Sequence, residues 1–85
     1  MEYIIVVFRS RASVVAFSEF LTSRNIKNQI INTPKEAGIG CGLCVKININ
    51  IFQYVKRYIN GVWLNNFVGF YLVKNLANKR IVKSI

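Results

Sequence analysis

An 85-residue chain has room for one small core, and its longest apolar runs, residues 3–8 and 67–73, fall far short of the roughly 20 residues that a bilayer span requires. With 53% hydrophobic residues, among them six Phe, four Tyr and one Trp, the composition excludes a disordered chain. Twelve Lys and Arg against three Asp and Glu give a net charge of +9, which favours polyanions or an acidic partner, and the absence of histidine removes the commonest general base, the Ser-His and Cys-His pairs and the usual zinc ligand.

The opening Met1-Glu2-Tyr3 carries no cationic region and no cleavage pattern follows it, so the expectation is a cytoplasmic protein whose two cysteines, Cys41 and Cys44, are thiols. Residues 3–8, β-branched and aromatic, read as a strand buried on both faces and central in its sheet. Ser10 is a candidate N-cap for a helix to about Arg24 with Val14, Phe17 and Leu21 on its apolar stripe. Residues 26–31 form a second, more polar strand that Asn32-Thr33-Pro34 breaks, because proline cannot donate to a ladder. From Leu43 the alternation is strict, with Leu43, Val45, Ile47 and Ile49 on one side and Cys44, Lys46 and Asn48 on the other. Asn50 then caps a second helix with Ile51, Val55, Tyr58, Ile59 and Val62 in line, stopped by Asn60-Gly61. Residues 67–73 read as a last strand, with Gly69 a weak point or bulge.

Strand, helix, strand, strand, helix, strand is the order of a ferredoxin-like βαββαβ two-layer sandwich: an antiparallel four-stranded sheet with two helices on one face. The domain spans residues 1–73, and 74–85 is a basic C-terminal tail whose apolar contacts, should it dock, are Leu76, Ile81 and Val82. In that topology the loop 32–42 shares a sheet edge with the end of the first strand, so Arg9, Ser10 and Arg11 approach Cys41.

Glycines at 38, 40 and 42 around Cys41 permit positive φ and free main-chain N–H groups to converge on an anion. The start of the first helix and the cations Arg9, Arg11, Lys35 and Lys46 add positive potential, the environment that makes a cysteine nucleophilic. Read without these neighbours, the loop is a glycine-rich hairpin in which the cysteine is incidental.

These residues resemble a known family, the selenium/sulfur carrier protein-like domains. The likeness covers residues 3–73: an opening strand ending in Phe8 with Ser10, a helix, Pro34-Lys35, and Gly40-Cys41-Gly42-Leu43 leading into an alternating strand. The resemblance implies that Cys41 holds sulfur or selenium as a persulfide or selenosulfide in company with sulfur- or selenium-transfer proteins, without a cofactor, as a carrier and not a stand-alone catalyst. The chain departs from the family at Lys35, where an arginine is usual, and in Cys44 and the basic tail.

Cys41 and Cys44 also have C-x-x-C spacing, but three residues of strand span about 10 Å, beyond the roughly 7 Å between Cα atoms that a disulfide allows, and a metal would need two further ligands. Lys35 and Glu36 are the acid and base candidates in reach, with nothing to mark them. The rival reading is a basic nucleic-acid-binding or regulatory module. Tyr54-Val55-Lys56-Arg57-Tyr58 invites it, yet the third strand offers Cys44, Lys46 and Asn48 on its open face where an RNA-binding sheet displays aromatics, and the two tyrosines are better placed as partly buried helix positions. An open sheet face is also a surface on which a second copy can pack.

Overall fold

The unbroken apolar run 3–8 has no polar side to turn to water, so its strand must lie inside a sheet that is covered above and below. The computed structural model describes residues 1–38 and 40–85, and in it β1 (Glu2–Phe8) is the middle of five strands ordered β2-β3-β1-β4-β5. Around it are α1 (Arg11–Ser23), β2 (Gln29–Asn32), β3 (Leu43–Ile47), α2 (Phe52–Tyr58), β4 (Phe67–Asn75) and β5 (Arg80–Ser84), with 3-10 turns at Lys35–Ala37, Ile49–Ile51 and Gly61–Asn66. All neighbouring strands are antiparallel.

Period-2 and period-3.6 stripes meet as the sequence predicts. Val6 lies opposite Val45 on one side and Phe70 on the other, and Ile4 opposite Ile47. These side chains, with Phe8, form one core beneath Val14, Phe17 and Leu21 of α1 and Val55 of α2. Cys44 and Lys46, one residue out of phase, fall on the opposite face. The ladder shifts between Val7 and Phe8, so that Gly69 opposes Val7 while Phe67 opposes Phe8, a bulge next to the expected weak point.

One end of α1 is set by a side chain and the other by the backbone. Ser10 accepts the Ser13 N–H at 3.0 Å as N-cap. Asn25, at φ 61°, takes the left-handed position past the C-cap, where its N–H donates to Thr22 O and that of Ile26 to Leu21 O, a Schellman arrangement. The second helix is shorter than its stripe predicts. Neither asparagine caps α2: Asn48 accepts the Asn50 N–H at 2.8 Å and caps the 3-10 turn Ile49–Ile51, and α2 follows with Ile51 at its N-cap, no side-chain cap bond, and its end at Tyr58. Val62 therefore leaves the apolar face and is 76% exposed, while Trp63 turns inward, its ring 4.9 Å from Phe17 and 5.6 Å from Phe20. Tyr58 packs on Phe20, but Tyr54 is exposed rather than partly buried.

Two corrections concern the sheet. It has five strands, not four, because residues 80–84 of the expected tail form β5 against β4, with Val82 opposite Val73. The weak pattern Arg-Ile-Val-Lys-Ser conceals a strand since an edge strand needs only one apolar position turned inward, and Val82 supplies it. Leu76 and Ile81 stay exposed. The face expected to be open is also covered. Ile5, Val7, Cys44 and Val73 are fully buried in a second core that includes Ala37 of the connection between β2 and β3. The molecule thus has helices on one side of the sheet and a folded loop on the other. Among the described residues, no helix is long and apolar enough to cross a membrane.

Deleting residues 80–85 leaves β4 a bare edge and removes Val82 from the second core. The expected loss is about 1–2 kcal/mol, from partial burial of one valine and its strand pairing. Urea unfolding should show a lower midpoint with a transition that is still cooperative.

Candidate functional site

β2 ends where Pro34 offers no N–H to the ladder, and the chain then loops back to β3. The Thr33 N–H donates to Gly42 O at 2.9 Å and closes the base of this loop, while the Ala37 N–H donates to Pro34 O at 3.0 Å within the 3-10 turn. On the return, the Cys41 N–H donates to Phe8 O at 3.3 Å, which fastens the loop to the end of β1. Gly38, Gly40 and Gly42 all take positive φ, at 68°, 105° and 91°. Glycine is required most strictly at 40: a Cβ there would stand 2.7 Å from Val7 Cγ1 and 3.0 Å from the Phe8 carbonyl oxygen. The glycine pattern is what lets the backbone lie directly on β1. Ile39, the remaining residue of this stretch, lies outside the described residues.

The two thiols have opposite surroundings. Cys41 is half-buried in the loop, outside any strand, and its thiol donates to the Leu43 carbonyl at 3.5 Å. Cys44 is fully buried in β3, on the side of the sheet away from the helices. Burial pushes the Cys44 thiol up, the adjacent Thr33 hydroxyl opposes that rise, and the nearby Cys41 adds to it. Thr33 Oγ1 is itself buried, with no partner in hydrogen-bond geometry. A neutral, enclosed Cys44 is a core side chain, and Cys41 is the sulfur that solvent can reach.

Phe8 accepts the Cys41 N–H, and the residues that follow it, Arg9, Ser10 and Arg11, lead into α1. Arg9 and Arg11 are exposed. Ser10 is committed to the cap, with its hydroxyl also 3.0 Å from Ser13 Oγ as donor. Lys35 opens the 3-10 turn and lines a shallow depression of about 190 Å³ with Thr33, Pro34, Gly38, Gly40 and Gly42; Cys41 does not line it. A larger hollow of about 820 Å³ lies at the other end of β1, where Tyr3, Lys27, Lys46 and Asn48 face it. Among the described residues, no three metal-ligating side chains of His, Cys, Asp or Glu gather in one place.

One link of the site had no signal in the sequence. Arg80 of β5 donates to Glu36 Oε1 through Nε at 3.2 Å and Nη2 at 3.0 Å, tying the loop to the C-terminal strand across 44 positions. The Glu36 carboxyl is held below its ordinary range by a backbone hydrogen bond first and then by Arg80. A depressed carboxyl contributes stability above its unfolded pKa and loses it as pH falls through the folded value. The tie should therefore be present at neutral pH and released in acid. In Arg80→Gln, the Glu36 carboxyl titration followed by NMR should move upward, while the backbone bond keeps it from returning fully to the unfolded value.

Residues 2–62 match the family described as "Putative Se/S carrier protein-like". The chain belongs to that family. The match takes in β1, the cysteine loop and β3, and ends before β4 and β5. No curated protein and no solved structure matches the chain of this Se/S carrier-like domain.

Proposed function

We propose that this chain holds a sulfur or selenium atom on the thiol of Cys41 and passes it between transfer proteins. The observation that carries the reading is the contrast between the two cysteines. One thiol lies half-exposed in a glycine loop fastened to the end of β1, and the other is sealed in the second core. Membership of the Se/S carrier-like family supports the same assignment. Arg9, Arg11 and Lys35, all exposed around the loop and its anchor, attract an anionic donor to this end of the sheet. Gly38, Gly40 and Gly42 shape the loop.

Loading is an exchange at sulfur. The Cys41 sulfur, its proton lost to solvent, attacks the outer sulfur of a donor persulfide R–S–SH. A new S–S bond forms on Cys41, the donor S–S bond breaks, and the donor leaves as R–S⁻, which takes up a proton. The product is Cys41–S–SH, with no net oxidation. A selenosulfide donor R–S–SeH gives Cys41–S–SeH by the same exchange. The scarcity of acid and base groups fits a carrier that relies on its partners for catalysis.

Incubation with a small-molecule persulfide, followed by intact-mass analysis, should add one sulfur atom to the protein, removable by dithiothreitol. Absence of the adduct, or an adduct that persists in Cys41→Ser, refutes the assignment.

A further inference from the structure

A five-stranded open sheet has two edges, and here they differ in kind. β5 carries Arg80 and Lys83, the charged side chains by which edge strands discourage pairing with other chains. β2, Gln29-Ile30-Ile31-Asn32, has neither a charge nor a proline and pairs with β3 alone. In an antiparallel ladder alternate residues turn their N–H and C=O groups away from the partner, so β2 presents main-chain donors and acceptors to water. Ile30 is 38% exposed at this edge.

The charges around β2 indicate what would pair with it. Lys27 precedes the strand and Lys35 follows it, while Lys46, opposite Gln29 on β3, turns away from this edge to the Tyr3 ring on β1, 4.5 Å from its centroid. The salt bridges among the described residues join Lys74 to Glu2 and Arg80 to Glu36, and leave Lys27 and Lys35 without carboxylate partners. A second copy of the chain would bring the same two cations and a net charge of +9 against itself, and four residues of strand bury little area against that repulsion.

We infer that the free edge of β2 is a docking site for an extended acidic segment of a partner protein, which adds to the sheet as a sixth strand. Main-chain hydrogen bonds supply the pairing, as in other β-augmentation, and Lys27 and Lys35 at the two ends of the strand select for Asp and Glu in the incoming segment. This goes beyond the chalcogen reading and does not depend on it. β2 runs directly into the cysteine loop, so a segment docked there lies beside that loop.

The test uses the intact chain and a synthetic seven-residue peptide of alternating Glu and Val, blocked at both ends, alongside the same peptide N-methylated at alternate residues. The acidic peptide should bind saturably and slow amide exchange at residues 29–32 but not at 80–84. N-methylation on the pairing edge should weaken binding at least tenfold, because charge is kept while donors are lost. Equal binding of the methylated peptides in both alternations means charge attraction only and overturns the proposal. Protection at β5, no saturation up to the solubility limit, or a dimer in sedimentation that already protects residues 29–32 overturns it as well.

Discussion

Replacing Cys41 by serine is expected to abolish both rapid alkylation and chalcogen loading, while replacing Cys44 leaves both at the wild-type level. The argument is one of access. Cys44 has no exposed surface, and burial disfavours its thiolate, so a reagent meets it only when the second core opens. For a small domain with about 5 kcal/mol of stability, opening on that scale slows a reaction by roughly 4 × 10³, since about 1.4 kcal/mol is a factor of ten. Iodoacetamide labelling of Cys41→Ser and Cys44→Ser, timed at several pH values and read by mass, compares them directly. Thr33 Oγ1, buried and unpaired beside Cys44, can hydrogen-bond a serine hydroxyl at 44, so Cys44→Ser should remain folded; Cys44→Ala controls for a new polar contact in the core. Faster labelling of Cys44 than of Cys41 would reverse the assignment.

The parts of the fold legible in the sequence are those where one side chain reports its own surroundings. Residues 3–8 are apolar throughout because β1 is covered on both faces, and the alternation from Leu43 reports the helix-side core that Leu43, Val45 and Ile47 join. Val14, Phe17 and Leu21 repeat at helical spacing because a single core lies beneath α1. What the pattern misses depends on distant chain. Cys44 and Lys46 look like an open face, and only the fold of residues 33–38 over that face seals Cys44, through Ala37. β5 was hidden for the same reason: its pairing is with β4 and its ion pair with Glu36, neither visible within residues 80–84.

At the candidate site, local chemistry was legible and its three-dimensional use was not. Three glycines around one cysteine indicate positive φ, and all three adopt it. The expected topology brings Ser10 toward Cys41 and its position marks it as a helix cap, and its hydrogen bonds to Ser13 commit it to the cap. The near-equivalence of Cys41 and Cys44 in a C-x-x-C spacing disappears only when the strand boundary at Leu43 divides them, one in the loop and one in the core.

Gly40→Ala should be the most damaging single-methyl change in the loop, and Gly42→Ala is its internal control. Both residues take positive φ, at 105° and 91°, so an alanine at either strains the backbone by about 1–3 kcal/mol. Space separates them. A Cβ at 42 meets nothing within 4 Å, whereas one at 40 meets Val7 Cγ1 at 2.7 Å and the Phe8 carbonyl oxygen at 3.0 Å. Val7 is fully buried in the second core, and the Phe8 carbonyl accepts the Cys41 N–H, so neither can yield without moving β1 or breaking the bond that anchors the loop. Overpacking of this kind adds about 1–3 kcal/mol. Gly40→Ala is therefore expected to cost about 2–6 kcal/mol and Gly42→Ala about 1–3, read as midpoints of urea unfolding. Should the loop lift away instead of straining, the two stabilities converge and Cys41 in Gly40→Ala alkylates faster than in the parent protein. Equal stabilities with unchanged alkylation would show that the contact between Gly40 and β1 does not hold the loop.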